Sequence, residues 1–175
     1  MSFPYLVFRG ASAHYTRLMN IRLGLARRDD ATEISLMSRF LVEHGLPWSW
    51  TESRVSRYIR HPDCSVVVAR DRRRIAGFGV MEFHDAHAHL SLLAVRPAYQ
   101  RRGIGRRIIE WLESTARTAG IFLVRLELRA GNDAARQFYE KLGYRETGRK
   151  AGYYDAREDA VVMTRDLSVH SSFNA

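Results

Sequence analysis

The clearest chemical pattern in the sequence is a glycine- and arginine-rich turn at residues 100–105, which reads Gln-Arg-Arg-Gly-Ile-Gly. It lies between a segment with the pattern of a strand and one with the pattern of a helix, so its glycines fall where the helix begins. The first backbone N–H groups of a helix have no partner within it, and the helix dipole favours negative charge there. Glycines allow a phosphate to approach that backbone closely. Positive charge is added by Arg101, Arg102, Arg106 and Arg107.

This turn predicts an anion site, and its spacing limits which kind. It is not a Walker loop, because Gly-Lys-Ser/Thr is missing. A dinucleotide fingerprint would need a third glycine at position 108, which is Ile108. On spacing alone, a helix start softened by glycine and surrounded by solvated arginines remains an open alternative.

The elements that position this turn follow from hydrophobic periodicity. Alternating apolar residues predict strands at 21–25, 65–70, 75–83, 88–95 and 122–128, with two more from residue 144 and over 160–167. Helical spacing predicts helices after Asp29-Asp30, from Thr51, after Pro97 and after Asn132, which is a strong N-cap. Interleaved helices and hairpins are typical of an α/β (α+β) fold with a mixed sheet covered by helices on both faces.

The chain has the size and composition of one domain, with 175 residues of which 46% are hydrophobic. We expect an N-terminal arm at 1–18, a single folded domain at 19–167 and a C-terminal tail at 168–175. No apolar run is long enough for a membrane span or a secretory signal, so a cytoplasmic protein without membrane contact is expected. Cys64 is the only cysteine, which excludes an intrachain disulfide.

The net charge of +9 allows three kinds of partner: nucleic acid, a membrane surface or a small polyanion. The chain has 26 arginines and two lysines, and the arginines are spread along it with acids between them. There is no long basic arm and no recognition motif for nucleic acid. A nucleic-acid-binding protein is therefore kept only as the alternative from another class, and most arginines are interpreted as solvated surface.

Several ordered motifs resemble one family. The run Leu92–Gly105, with Gln100-x-x-Gly103-x-Gly105, resembles the acetyl-CoA signature of the GNAT superfamily of N-acetyltransferases. Asn132–Ala135 followed by Phe138–Tyr144 resembles the second motif of that family. Tyr153-Tyr154 with Glu158–Met163 is similar to the C-terminal end of its ribosomal-protein alanine N-acetyltransferase branch.

The resemblance implies a GNAT fold whose mostly antiparallel sheet is splayed between its fourth and fifth strands, with acetyl-CoA in the gap. The pantetheine arm would pair with the backbone of Leu93 and Val95, and the pyrophosphate would bind the amides of residues 101–106. A bulge in the fourth strand would aim a backbone N–H at the thioester carbonyl, and we expect Leu93 or Ala94 at that position. The implied cofactor-binding residues are Leu93, Ala94, Val95, Gln100, Arg101, Arg102, Gly103, Ile104, Gly105, Arg106, Asn132 and Tyr139.

The implied activity is direct transfer of an acetyl group from acetyl-CoA to a primary amine. An α-amine, with a pKa of about 7.7–8.0, loses its proton more easily than a lysine at about 10.4. The resemblance makes Glu127 the base and Tyr139 the acid. The alternatives are a carboxylate paired with Arg125 or Arg129, and a tyrosine that packs beside Phe138.

The acceptor is less well defined by the sequence. An aromatic-lined peptide groove is predicted from Trp48, Trp50, Tyr99, Tyr153 and Tyr154. The acceptor is expected to be a protein N-terminal α-amine or, alternatively, a small-molecule amine such as an amino acid, polyamine or antibiotic. A CoA-binding regulatory module without turnover and homodimerisation both remain open, and no interface signal is visible.

Two other groups of residues are assigned no chemistry. Among His84, His87 and His89, only the last two share a strand face, and no carboxylate spacing completes a metal site, so no metal is predicted. Strand-edge or acceptor-pocket roles are expected for these histidines. Cys64 has no apparent histidine partner, which favours direct transfer over an acylated cysteine.

Overall fold

We describe residues 20–156 and 158–168 of a computed structural model. The expected arm at 1–18 lies outside the described residues, as does all of the expected tail except Ser168. The strands are β1 Ile21–Leu25, β2 Cys64–Asp71, β3 Arg74–Phe83, β4 Ala88–Val95, β5 Leu123–Arg129, β6 Arg145–Tyr154 and β7 Glu158–Asp166. The helices are α1 Ala31–Leu41, α2 Glu52–Arg60, α3 Ile104–Thr118 and α4 Asp133–Lys141, with short 3-10 turns at Arg28–Asp30 and Pro97–Tyr99.

The strands form one seven-stranded sheet in the order β1-β2-β3-β4-β5-β7-β6. Every neighbouring pair is antiparallel except β4 and β5, which are parallel. The predicted mixed, mostly antiparallel sheet is therefore confirmed. Its single parallel pair is connected through α3, as a parallel connection requires a crossover.

Alternation along the strands places helices on both faces of the sheet. In β2, Val66 and Val68 pack with buried residues of α1 and α2, whereas Val67 and Ala69 pack in a second core with α3 and α4. Successive side chains of a strand point to opposite faces, so one apolar strand serves two cores.

The parallel pair separates soon after it begins. Only two registered pairs join β4 to β5, Ala88 with Val124 and His89 with Arg125. Beyond His89 no strand of the described residues pairs with the β4 edge on that side, while β5 continues beside β7. The splay predicted between the fourth and fifth strands is thus present, and it opens from His89 toward the turn that precedes α3.

Candidate active site

The arginine and glycine turn has the backbone of an anion site. Arg101 and Gly103 both adopt left-handed conformations, with φ of +60° and +75°. Gly103 is the N-cap of α3, and no side chain caps the helix there. The N–H groups of the first helical turn are thus left without an intrahelical acceptor, at the positive end of the helix dipole. The Gln100 side chain ties this turn to the end of β4 by donating to the Val95 carbonyl at 2.9 Å.

The second glycine of the turn is explained by packing. A Cβ on Gly105 would lie 3.2 Å from Cζ of Phe138, so the glycine lets α4 approach the start of α3. Of the nearby arginines, Arg106 is bound to Glu110 on its own helix at 2.7 Å. Arg102 and Arg107 line a recess of about 260 Å³ beside the turn.

Three predicted cofactor residues, Leu93, Ala94 and Val95, lie on β4 beyond the splay. Just before these residues the register between β3 and β4 shifts by one residue, since Val80 pairs with Leu92 and Met81 pairs with Leu90. Ser91 is the extra residue, so the bulge precedes Leu93 and Ala94, the residues expected to supply the backbone N–H. Register depends on the partner strand, which the sequence of β4 alone does not specify.

On the other face of the sheet, the gap borders an open cavity of about 550 Å³. Its walls come from the α1–α2 loop, β4, β5 and the β6–β7 turn. Of the five predicted acceptor aromatics, Trp50, Tyr153 and Tyr154 line the cavity. Trp48 is 38% exposed with Arg39 stacked on its ring, and Tyr99 hydrogen-bonds Asp71 at 3.1 Å, so neither belongs to the cavity wall.

A buried carboxylate organises the loop that forms one wall. Glu43 accepts hydrogen bonds from the Ser49 backbone at 2.8 Å, the Ser49 hydroxyl at 2.6 Å and the Trp50 backbone at 3.2 Å. These contacts hold Trp50 in place, and Arg54 lies over its ring at 4.1 Å. Sequence analysis missed Glu43 because a carboxylate that accepts from loop amides has no fixed spacing.

Glu127 lies at the floor of this cavity and is surrounded by basic side chains. Its Oε2 shares a 2.6 Å hydrogen bond with His89 Nε2, and Lys150 donates to Oε1 at 2.8 Å. Arg125 Nε lies 3.3 Å from the same Oε1. The hydrogen bond from His89 is the largest influence that lowers the pKa of Glu127 from 4.5 to about 2; Lys150 adds to it, against the opposing effect of burial. Glu127 is therefore a carboxylate at any working pH.

His89 extends this arrangement across two strands. Its Nδ1 lies 3.4 Å from the Ser91 hydroxyl, which in turn donates to Glu82 Oε1. Glu127, His89, Ser91 and Glu82 thus form a continuous polar chain from β5 through β4 to β3. His89 also lines the cavity.

The other predicted catalytic residue, Tyr139, is on α4 and is 9% exposed. Its ring packs edge-on against Phe138 and Tyr144, on the α3 side of the sheet. Burial, with a smaller contribution from Tyr154, raises the pKa of Tyr139 above its ordinary value of 10. The phenol stays protonated, as a proton donor must. Asn132 caps α4 by accepting from the Ala135 N–H at 3.1 Å, and it also lines the cavity.

The remaining candidates lie outside the cavity. Burial raises the pKa of the Cys64 thiol to about 11, which keeps it protonated, and Cys64 lines a separate recess. His84 and His87 stack with ring centroids 5.0 Å apart.

Within the described ranges, no group of three or more His, Cys, Asp or Glu side chains could hold a metal ion. No helix of the described part of the chain is long and apolar enough to cross a membrane.

Comparison with known proteins matches this geometry to a family. The model of the acetyltransferase (GNAT) family matches residues 30–144. The ribosomal protein bS18-alanine N-acetyltransferase of Escherichia coli is 33% identical over 132 residues, covering 72% of this chain and 85% of the relative. The N-alpha-acetyltransferase RimI of Mycobacterium tuberculosis is 30% identical over 155 residues, covering 83% and 92%.

A solved structure agrees with these sequence matches. The crystal structure of the ribosomal-protein-S18-alanine N-acetyltransferase from E. coli superposes with a TM-score of 0.74 at 27% identity, covering 89% of this chain and 99% of that one. The chain belongs to the GNAT acetyltransferase family. It is an acetyl-CoA-dependent N-acetyltransferase, which transfers an acetyl group to an amine. The nucleic-acid-binding and small-molecule alternatives are not favoured.

Proposed function

We propose that this enzyme acetylates the N-terminal α-amine of a peptide or protein. The observation that carries the proposal is the position of Glu127. Its carboxylate faces an open, aromatic-walled cavity at the point where β4 and β5 separate, with the anion-binding turn at the far end of the same gap. The relatives named as α-amine acetyltransferases support the same acceptor class.

The groups that bind acetyl-CoA would come from the turn and from β4. The uncapped first turn of α3, with Arg101 and Gly103 in left-handed conformations, suits the pyrophosphate. The β4 edge beyond His89 suits the pantetheine amides. Acetyl-CoA supplies the activated acetyl group, and a backbone N–H near the Ser91 bulge would stabilise negative charge on the thioester oxygen.

Glu127, held in place by His89, would position the amine. Moving a proton from an α-ammonium of pKa near 8 to a carboxylate of pKa about 2 is uphill by about 8 kcal/mol. Glu127 is therefore suited to orient the ammonium and stabilise its positive charge, and water in the open cavity would take its first proton. The nitrogen would then form the C–N bond with the thioester carbonyl carbon and lose its second proton to water, as the C–S bond breaks. Tyr139 would donate its proton to the departing sulfur and regain one from water, so that the products are the acetylated amine, CoA thiol and one net proton.

We assign this activity to residues 19–167 as one domain. We also place the enzyme in the cytoplasm, because its cosubstrate acetyl-CoA is available there. Both assignments rest on the proposed reaction.

Substitutions of the two catalytic side chains test the mechanism. Glu127→Gln and Tyr139→Phe should each lower kcat by at least about 100-fold, because the first removes the charge that orients the amine and the second removes the proton donor to sulfur. The measurement is CoA thiol release with an N-terminal peptide as acceptor. Glu140→Gln, at an exposed position on α4, is the matched control and should retain full activity. Unchanged turnover in both catalytic variants would disprove these roles.

An acceptor panel tests the substrate class. Peptides with a free N-terminus, peptides with a blocked N-terminus and one lysine, and polyamines are compared by mass spectrometry. We expect acetyl groups on free N-termini. A polyamine with a higher kcat/KM than every peptide would instead support a small-molecule acceptor, and acetyl-CoA binding without thiol release would indicate a regulatory module.

A further inference from the structure

A second recess, of about 320 Å³, lies on the same face of the sheet as Glu127, across β5, β7 and β6. Its charged and titratable lining residues are all basic, with no aspartate or glutamate among them: His87, Arg125, Arg149 and Lys150. The other lining residues are small or apolar. No helix of the described chain is part of the wall, so the recess is bounded by strands and by the β3–β4 turn.

This basic recess adjoins the cavity at Glu127, and two basic side chains lie between them. Arg125 and Lys150 line it, and the same two side chains reach Glu127 Oε1 at 3.3 Å and 2.8 Å. Arg125 and Glu127 are two residues apart on one face of β5, which separates them by about 6.6 Å along the strand. An extended peptide whose α-amine is at Glu127 therefore brings its second or third residue to the recess.

The basic groups here are only partly neutralised. Glu127 is shared by Arg125, Lys150 and His89, and Arg149 is paired with Glu146 at 2.9 Å. Arg125 Nε is buried and makes no hydrogen bond with any residue that the structure describes, although it lies near Glu127. His87, whose pKa is lowered by burial and by neighbouring basic groups, contributes an N–H donor rather than a charge. A carboxylate in the recess would complete these contacts.

We propose that the basic recess binds an acidic side chain at the second or third position of the acceptor peptide, so that this enzyme selects N-termini followed by Asp or Glu. This inference rests on the proposed function, because it takes the α-amine at Glu127 as given. It also gives a role to part of the +9 net charge that lies outside the phosphate-binding turn.

Peptides that differ only in charge test the proposal. Three peptides begin with Ala and carry Glu-Glu, Gln-Gln or Lys-Lys at positions two and three. We expect kcat/KM for the Glu peptide to exceed that for the Gln peptide by about fivefold to tenfold, and the Lys peptide to be the poorest. Raising the salt concentration should reduce the Glu-to-Gln ratio, because the contacts are partly exposed.

Arg149→Glu should bring the Glu-to-Gln ratio to about one, because it reverses the most exposed charge of the recess. Arg60→Glu makes the same change of net charge at an exposed position on α2 and should leave the ratio unchanged. If Arg149→Glu unfolds, Arg149→Gln and the wild-type peptide series still test the proposal.

Equal kcat/KM for the Glu and Lys peptides, or equal losses in the Arg149 and Arg60 variants, would overturn the proposal while leaving α-amine acetylation intact. Acetylation of none of the peptides would overturn the proposed function, and this inference with it.

Discussion

Glu127 contributes to the stability of the fold and has a proposed role in the reaction. His89 and Lys150 hold it as a carboxylate through short hydrogen bonds. The same contacts that keep it ionised also make it a weak base. In the proposed reaction the proton of the amine therefore goes to water rather than to this carboxylate. A basic environment thus fits a role in binding and orienting an ammonium more than one in direct deprotonation.

Acid should destabilise the fold through Glu127. Its pKa in the folded protein is about 2, below the ordinary 4.5, so its stabilising contribution is complete above about pH 4.5 and is lost as the pH falls toward 2. The contribution is at most about 3 kcal/mol. Urea unfolding between about pH 6 and pH 3 measures it, and Glu127→Gln should show a shallower loss of stability. Parallel losses in the two proteins would contradict this.

For single residues, the sequence predicts some of the side chains that contact Glu127 and not others. Strand alternation placed Arg125 beside Glu127, and family motifs selected Glu127 and Tyr139. The hydrogen bonds from His89 and Lys150 instead join residues separated by 38 and 23 positions. Such contacts depend on which strands are neighbours, and no local pattern specifies strand order.

At the scale of elements, α3 is attached to the sheet through a buried ion pair. Glu113 receives two hydrogen bonds from Arg165 of β7, at 3.0 and 2.9 Å, and one from the Tyr144 hydroxyl at 2.9 Å. Burial raises the pKa of Glu113 above its ordinary value, despite the opposing effect of Arg165. The carboxylate is therefore stable there only because its partners remain in place.

Removing that carboxylate should destabilise the protein substantially. Glu113→Ala leaves the partly buried Arg165 and the buried Tyr144 hydroxyl without their acceptor, at a cost of about 3 kcal/mol. In a protein of this size that lowers Tm by about 6–12 °C. Thermal unfolding followed by circular dichroism measures it, with the exposed Glu140→Ala as control. A change below about 2 °C, equal to that of the control, would show that the pair contributes little.

The wall of the acceptor cavity is connected to β5 by Arg129. Its Nη2 donates to the His44 carbonyl at 2.8 Å, and its Nη1 lies 3.4 Å from Glu158. Arg129→Ala should loosen the α1–α2 loop and raise KM for a peptide acceptor by about tenfold, since about 1.4 kcal/mol of ordering is lost. KM for acetyl-CoA should change little. Steady-state kinetics with each substrate varied in turn separates the two values, and equal increases in both would contradict this loop-ordering role.

Hydrophobic periodicity predicted the helices and strands well, because buried positions repeat with the strand or helix period. It did not predict features that depend on packing between elements. Phe40, which continues the apolar spacing of α1, is 64% exposed. The bulge at Ser91 could not be located from the sequence of β4 alone, because it arises from pairing with β3. The orientation of the predicted acceptor aromatics also depends on packing, since Trp50 lines the cavity and Trp48 does not.

At the scale of the molecule, the splayed sheet separates two tasks. Its α3–α4 side contains the Tyr139 phenol, and its other side contains the cavity proposed for the acceptor and the basic recess. In the proposed reaction the two substrates meet at the gap between β4 and β5. The positive charge is also divided, with arginines at the turn before α3 and others at the basic recess. The remaining arginines are interpreted as solvated surface.

Because acetyl-CoA binds only the folded protein, it should raise Tm. At a concentration 100 times its Kd, the stabilisation is about 2.7 kcal/mol, or about 5–11 °C for a protein of this size. Duplex DNA at the same concentration should give no comparable shift, which tests the alternative suggested by net charge. A larger shift with DNA than with acetyl-CoA would contradict our assignment of the basic turn.

Two glycine variants test which part of the chain is responsible for the rise in Tm caused by acetyl-CoA. Gly103 and Gly120 both have positive φ, +75° and +78°, and open space around an added Cβ. Alanine at either position costs about 1–2 kcal/mol of backbone strain, so both variants should melt at similar temperatures without ligand. Only Gly103→Ala distorts the turn at the start of α3, and it alone should lose most of the shift caused by acetyl-CoA. Equal shifts in the two variants would mean that the backbone of this turn does not bind the phosphates.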